Sequence, residues 1–199
     1  MRQVVPLLTL LLLSLPAWAA EPVGEVLAMA GDCAVDNAQG HQSLAAGRKV
    51  SGGDTVAVGA GGRLKLRMVD GSVLALSENS RLTIDSYGLK DGRDVSLSLA
   101  QGLLRAVVSK MGQPSRFEVG TATAVAAVRS TDWFVEALPQ MTRVGVLDGR
   151  VSFTSNATHR SVEIPDRFGA RVEVGKDPIE PRLWSQPEFD EYIARTAVP

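Results

Sequence analysis

From Gly53 to Val174 turn signals recur roughly every 8–12 residues, and no useful stretch between them carries a helical period. That spacing leaves room only for short strands. Leu64, Leu66 and Met68 alternate with Arg63, Lys65 and Arg67, the period-two pattern of a half-buried strand. Asp70-Gly71 is a tight-turn signal, followed by the apolar run Val73–Leu76. Glu78-Asn79-Ser80 turns the chain again before Leu82–Ile84, and Asp91-Gly92 turns it before Val95, Leu97 and Leu99. Gly102 leads into Leu103-Leu104 and Val107-Val108. Gly112 and Pro114 lie in a loop, after which Phe117 with Val119, Val151 with Phe153, Val162 with Ile164 and Val172 with Val174 mark further short strands. A βαβ arrangement would need helices between the strands, and the pattern argues against it. The reading is all-β: short stacked strands, β-solenoid-like or a twisted two-sheet arrangement. The strands differ in sequence, so this is no strict repeat array. Coil-by-coil stacking accounts for the many short steps better than long sandwich strands do.

Both ends of the chain depart from this pattern. Met1-Arg2 is a short positive start, Val4–Leu15 is an apolar core, Pro16 breaks it, and Ala17-Trp18-Ala19 follows. This is the layout of a secretory signal peptide, with cleavage between Ala19 and Ala20. The apolar core is short for a membrane span, which needs about 20 residues. Removing residues 1–19 takes away Arg2 and moves the formal charge from −1 to −2. No later stretch is apolar enough to cross a bilayer, so the expected product is periplasmic and soluble after cleavage. At the other end, Pro178, Pro181 and Pro187 punctuate the tail. Ser185 with Glu188 fits a capping box, and Trp184 with Phe189 fits a hydrophobic staple. Phe189, Tyr192 and Ile193 share one helical face, which predicts a short helix over about 186–195 docked on the sheet. The expected organisation is a signal peptide at 1–19, lead-in strands at 20–44, an all-β domain at 45–175 and a Pro-rich tail with a short helix at 176–199.

The search for chemistry returns little. His41 and His159 lie far apart in loop-like contexts, without the tight spacing of metal ligands. Cys33 is the single cysteine, so no internal disulfide is available. It reads as a small buried residue, with Asp32 and Asp36 opposing thiolate formation. No Gly-x-Ser-x-Gly, Walker or Rossmann pattern is present. Asp70, Asp91 and Asp148 each precede glycine and are explained by turns. Asp132 and Glu136 are the only carboxylates that stand out on an apolar strand end. The near-zero charge gives no long-range attraction for nucleic acid. No enzyme activity, cofactor or metal is expected.

The run from Gly120 to Gly149 organises the rest. It opens on small residues, passes Arg129 and Trp133, and closes on an Asp-Gly turn. Arg129 reads as a buried guanidinium clamped by turn carbonyls or by Asp132 rather than as a ligand-binding group. Trp133 reads as core rather than as a carbohydrate-stacking platform.

In their order, several segments resemble one family. Gly53-Asp54-Thr55-Val56, Gly61-Gly62-Arg63-Leu64-Lys65-Leu66, Asp70-Gly71-Ser72-Val73-Leu74-Ala75-Leu76 and Asn79-Ser80-Arg81-Leu82 look like the opening of a FecR domain. Gln101-Gly102-Leu103-Leu104-Arg105 resembles its middle strand. The segment from Thr121 to Trp133 is similar to its Ala-Val-Arg-Gly-Thr-x-Phe hallmark, with Ser130 in place of the glycine. Val144 to Val151 resembles its closing Val-Leu-x-Gly-x-Val. The resemblance covers about residues 45–155 and marks Asp54, Gly71, Arg129, Thr131, Trp133 and Gly149 as signature positions. It implies an extracytoplasmic domain of short stacked strands. Family members in iron-uptake signalling sense an outer-membrane transporter and regulate a sigma factor, through a cytoplasmic segment and a membrane helix that are not read in this sequence. The expectation is an exported, stand-alone FecR-like interaction module whose partner is an envelope protein or glycan. The alternative is the sensor subunit of a transmembrane signalling system.

Overall fold

The computed structural model describes residues 21–88, 94–109 and 116–198. The predicted leader with Ala19 and Ala20, the Asp91-Gly92 turn and the loop holding Gly112 and Pro114 lie outside the described residues.

The first half of the chain forms β1 (Pro22–Ala30), β2 (Cys33–Asn37), β3 (Gly40–Ser43), β4 (Lys49–Ser51), β5 (Thr55–Val58), β6 (Arg63–Met68), β7 (Val73–Leu76) and β8 (Arg81–Tyr87). A long strand follows, β9 (Asp94–Val107). The second half forms β10 (Arg116–Gly120), β11 (Ala124–Val128), β12 (Asp132–Leu138), β13 (Met141–Asp148), β14 (Arg150–Ser155), β15 (Ser161–Pro165), β16 (Phe168–Glu173), β17 (Arg182–Leu183) and helix α1 (Gln186–Thr196).

These strands make two sheets. The first has the order β4–β1–β6–β7–β9–β12–β13–β16–β17. The second has the order β3–β2–β5–β8–β9–β10–β11–β14–β15. Strand β9 stands in the middle of both. All pairings are antiparallel except β9 with β10. After β9 the chain adds hairpins alternately: β10–β11 to the second sheet, β12–β13 to the first, β14–β15 to the second. Of the two arrangements left open by the sequence, the two-sheet one is observed. The short steps are hairpins changing sheet, not coils of a solenoid. The lead-in is also more ordered than its irregular pattern suggests, because β1 and β2 are placed by long-range pairing with β6 and β5.

The core lies between the sheets. Leu64, Leu66, Leu74, Leu76, Val135 and Val144 of the first sheet face Val56, Leu82, Ile84, Leu97, Phe117 and Phe153 of the second. Each such side chain taken from water contributes about 1.5–3 kcal/mol.

Strand β9 changes phase on passing between sheets. Val95, Leu97 and Leu99 are buried, Ala100 and Gln101 are exposed, and Leu104 and Ala106 return to the core. Gly102 makes the break at φ +95°. The Leu103 N–H donates to Ser80 Oγ at 3.0 Å, and the Ser80 hydroxyl lies 3.3 Å from the Leu103 carbonyl oxygen that accepts from it. A Cβ at position 102 would stand 2.2 Å from Ser80 Oγ and 2.5 Å from its Cα.

On the outer face of the first sheet sits a second, smaller apolar cluster: Leu103, Phe134, Trp184, Phe189 and Tyr192. Helix α1 starts as the sequence predicts. The Ser185 N–H and hydroxyl both donate to the Glu188 carboxylate, at 2.8 and 3.0 Å. Arg182 at 2.5 Å and the Ser185 N–H hold the Glu188 carboxyl at about 2. The Trp184 and Phe189 rings lie 5.4 Å apart, completing the staple. The Trp184 indole lies over Gly145 and Gly169, which pair across β13 and β16. A Cβ at either glycine would come within 2.4 Å of the indole.

Gly102→Ala is expected to cost about 2–4 kcal/mol, from overpacking against Ser80 and a left-handed backbone together. Gly47→Ala, at φ +80° with nothing within 4 Å, should cost only about 1 kcal/mol. Urea unfolding midpoints measure both, and equal shifts would refute the role given to Ser80.

Candidate functional site

Strands β10, β11, β14 and β15 lie side by side in the second sheet. Their register sets Glu118, Ala127, Ser152 and Glu163 in one row across all four. The adjacent Phe117, Val128, Val151 and Ile164 are buried in the core, so the row faces outward. Two residues beyond the row, toward the start of β10 and so again on the outward phase, come Arg116, Arg129 and Arg150. Together with Ser130, Thr131 and Gly149, they line an open groove of about 770 Å³, which also takes in Ala127, Ser152 and Glu163.

Arg129 is exposed there, not buried as the sequence suggests. It follows the inward Val128 by one residue and therefore has the outward phase. Asp132 is not its partner. That carboxylate accepts two hydrogen bonds from Arg105, at 3.0 and 2.8 Å. Arg116 pairs with Glu118 at 2.5 Å. Among the described residues neither Arg129 nor Arg150 has a side-chain hydrogen bond or ion pair.

The turn beneath these arginines is tightly tied. Thr131 Oγ1 donates to the Arg150 carbonyl at 3.2 Å. Gly149, at φ +101°, closes against Ser130 and Thr131, where a Cβ would lie 2.8 Å from the Ser130 carbonyl oxygen. The structure thus brings three of the six signature positions, Arg129, Thr131 and Gly149, to one groove. Trp133 is fully buried on the core side, its indole N–H without a partner among the described residues, so it offers no stacking platform. Asp54 shapes the β4–β5 turn, its carboxylate accepting the Ser51 N–H at 2.8 Å. Gly71 turns β6 into β7 beside Ser109. Neither lines the groove.

The remaining candidates are used up locally. The His41 ring lies 2.6 Å from Asp36, which also accepts from Arg81 at 2.8 Å. Those two contacts, His41 first, hold the Asp36 carboxyl below its ordinary range. His159 occupies a left-handed turn position at φ 57° and is exposed. Cys33 is buried, and burial, then the Asp32 charge, pushes its thiol up. Among the described residues no group of three or more His, Cys, Asp or Glu is placed to hold a metal ion.

Glu136 is buried on β12 and anchors the tail. It accepts the Tyr192 hydroxyl at 2.9 Å and Arg195 at 2.5 Å, with Arg143 at 3.6 Å. Burial, then the Glu136 charge, pushes the Tyr192 hydroxyl up to about 12. Its carboxylate oxygens are committed to holding the helix.

Sequence reasoning missed Arg116, Arg150 and Glu163 as site residues. Each appears in the sequence only as a polar residue alternating with apolar ones. Their grouping depends on which strands become neighbours.

A two-sheet β domain of this kind is found in two solved structures. Both are crystal structures of a candidate anti-sigma factor from Parabacteroides distasonis ATCC 8503, at 1.65 and 2.50 Å resolution. The TM-scores are 0.58 and 0.59, with 16% and 15% sequence identity. Each match covers 70% of this chain, and the chain spans 64% and 63% of the length of the solved ones. At that identity the likeness is one of fold. The model of the family described as FecR protein matches residues 54–152. The chain carries a FecR domain over that stretch, which runs from the turn before β5 into β14. No curated protein matches the sequence. Among the described residues, no helix is long and apolar enough to cross a membrane.

The Tyr192–Glu136 contact gives a test of the helix anchor. A tyrosine raised from about 10 contributes stability fully present below pH 10 and lost as pH rises through its folded value. Unfolding free energy should therefore fall between about pH 10 and pH 12. Tyr192→Phe should lose the Tyr192 share of that slope and keep the share of buried Tyr87, whose hydroxyl is also pushed up. At neutral pH it should be about 1–2 kcal/mol less stable because Glu136 loses a donor. Urea unfolding across this range checks it, and an unchanged slope in the variant would count against the assignment.

Proposed function

We propose that this protein is an exported, non-catalytic interaction module of the cell envelope, acting in the periplasm and presenting the arginine-lined groove to a protein partner. The observation that carries this reading is the groove itself. It is built on the family's hallmark segment, and two of its guanidiniums have no partner among the described residues. Arginine is well suited to such contacts, because its planar fork makes paired hydrogen bonds to carboxylates and is less strongly hydrated than lysine. The leader-like residues 1–19 support export, with a mature chain beginning at Ala20. The groove's walls carry hydroxyls, guanidiniums and one carboxylate, a set suited to recognition.

A second reading is favoured by the fold shared with the candidate anti-sigma factors. In it the module is the extracytoplasmic sensor of a transmembrane signalling system and passes its state to a separate membrane protein. Both readings need the same surface, and they differ in what the partner does.

Photo-crosslinking in living cells tests the proposal. A photoreactive residue at Ser152, within the groove, is expected to give a discrete adduct. One at Arg160, in the β14–β15 turn, is expected to give none. Mass spectrometry of the periplasmic fraction should find a mature chain starting at Ala20. A chain retaining residues 1–19 in the cytoplasm, or equal adducts from both positions, would overturn the proposal.

A further inference from the structure

The interaction-module reading leaves the partner's chemistry open, and the groove specifies it. We propose that the Arg116, Arg129 and Arg150 groove binds an extended acidic segment of a protein partner.

The argument begins with the internal ion pairs. Several arginines elsewhere are tied to carboxylates: Arg67 to Glu25, Arg81 to Asp36, Arg105 to Asp132, Arg143 and Arg195 to Glu136, and Arg182 to Glu188. Arg48, Arg63 and Arg167 are held by neutral oxygens instead. Arg129 and Arg150 have no such tie, yet they line one groove with Arg116. Glu118, in the neighbouring row, is held by Arg116. At the arginine end of the groove, Arg129 and Arg150 therefore carry positive charge that no described residue pairs with.

Spacing selects the ligand. The three arginines come from β10, from the end of β11 and from β14, three neighbouring strands. Neighbouring strands lie about 4.8 Å apart, so the guanidinium bases spread over about 10 Å. A single small anion would occupy one of them. An extended chain carrying acids at alternate positions presents carboxylates about 6.5–7 Å apart on one face, and so engages two or three together. The groove opens to solvent, as binding of an extended segment requires. Ala127 leaves a low floor, and the Ser130 and Ser152 hydroxyls offer hydrogen bonds to a peptide backbone.

Glu163 gives direction and discriminates. It pairs with Ser152, stands across β14 from Ala127, and repels acidic groups at that wall. The preferred segment therefore puts its acids over the arginines and a neutral or basic residue against Glu163. A continuous polyanion, such as a phosphate chain, would meet Glu163 and is disfavoured.

Fluorescence anisotropy tests this with the full mature chain and a labelled peptide alternating Asp with Val. The control peptide replaces each Asp by Asn. The acidic peptide is expected to bind, to weaken as salt rises, and to bind at least about tenfold more tightly than the control. Arg129→Gln with Arg150→Gln should weaken it by about tenfold or more, whereas Arg160→Gln should not. Both arginines are exposed and unpaired, so the urea midpoint of the double variant should match the wild type. If that variant unfolds early, Arg129→Lys with Arg150→Lys keeps the charge but removes the fork, and should still weaken binding. Equal binding of both peptides, or binding unaffected by the variants, would overturn the inference. So would binding of inorganic polyphosphate in preference to the acidic peptide. Crosslinks from Ser152 in cells combined with no acidic-peptide binding would overturn this inference while leaving the interaction module standing.

Discussion

Ser80 and Gly102 meet where strand β9 passes from one sheet to the other, and the two-layer arrangement depends on that meeting. A single strand can serve both sheets only if its buried side switches phase, because side chains alternate with period two. Odd-numbered residues face the core up to Leu99, and even-numbered ones do so from Leu104. The slip needs one residue in a backbone conformation that side chains resist and a polar group to satisfy the interrupted ladder. Gly102 provides the first and the Ser80 hydroxyl the second. In a buried site both are needed, since an unpaired backbone N–H there costs about 1–3 kcal/mol.

From that central strand the hairpins build outward on alternate sheets, and the two outer faces end up different. The outer face of the first sheet is closed by the tail. Trp184 lies on the flat surface made by Gly145 and Gly169, the helix covers Phe134 and Leu103, and Glu136 holds Tyr192 and Arg195. On the outer face of the second sheet, the described part of the chain leaves the row from Glu118 to Glu163 uncovered. The unpaired arginines are on that uncovered face. Had they lain under the helix, each would have required a partner, as Arg195 does.

Much of this was legible from residues alone. Alternation over 63–68, the Asp-Gly turns and the capping residues Ser185 and Glu188 are local signals, and local physics determines them. The two-sheet order was not, because hairpins of similar length and polarity carry no label saying which sheet they join. The lead-in was obscure for the same reason. Residues such as Ala28 and Met29 are half-buried and show no clean alternation, and only their pairing with Lys65 and Leu64 fixes them. Arg129 misled through its apolar neighbours. An arginine between Val128 and Ser130 looks buried until the strand's phase is known, and in a strand one residue's shift exchanges core for solvent. Cys33 and Trp133 were legible because size and polarity alone favour the interior for them.

The groove shows why a family signature need not be a catalytic one. Thr131 and Gly149 are needed to fold the crossing between β11, β12 and β14 tightly, with the Thr131 hydroxyl bound to the Arg150 carbonyl. That same crossing sets the bases of the Arg129 and Arg150 side chains beside each other. Packing and recognition are therefore properties of one turn. A substitution at Gly149 would push against Ser130 and move both guanidiniums, although position 149 has no side chain to contribute. Residues that shape the turn and residues that contact a partner are separable by changing Arg129 and Arg150 themselves, whose side chains make no hydrogen bond or ion pair among the described residues.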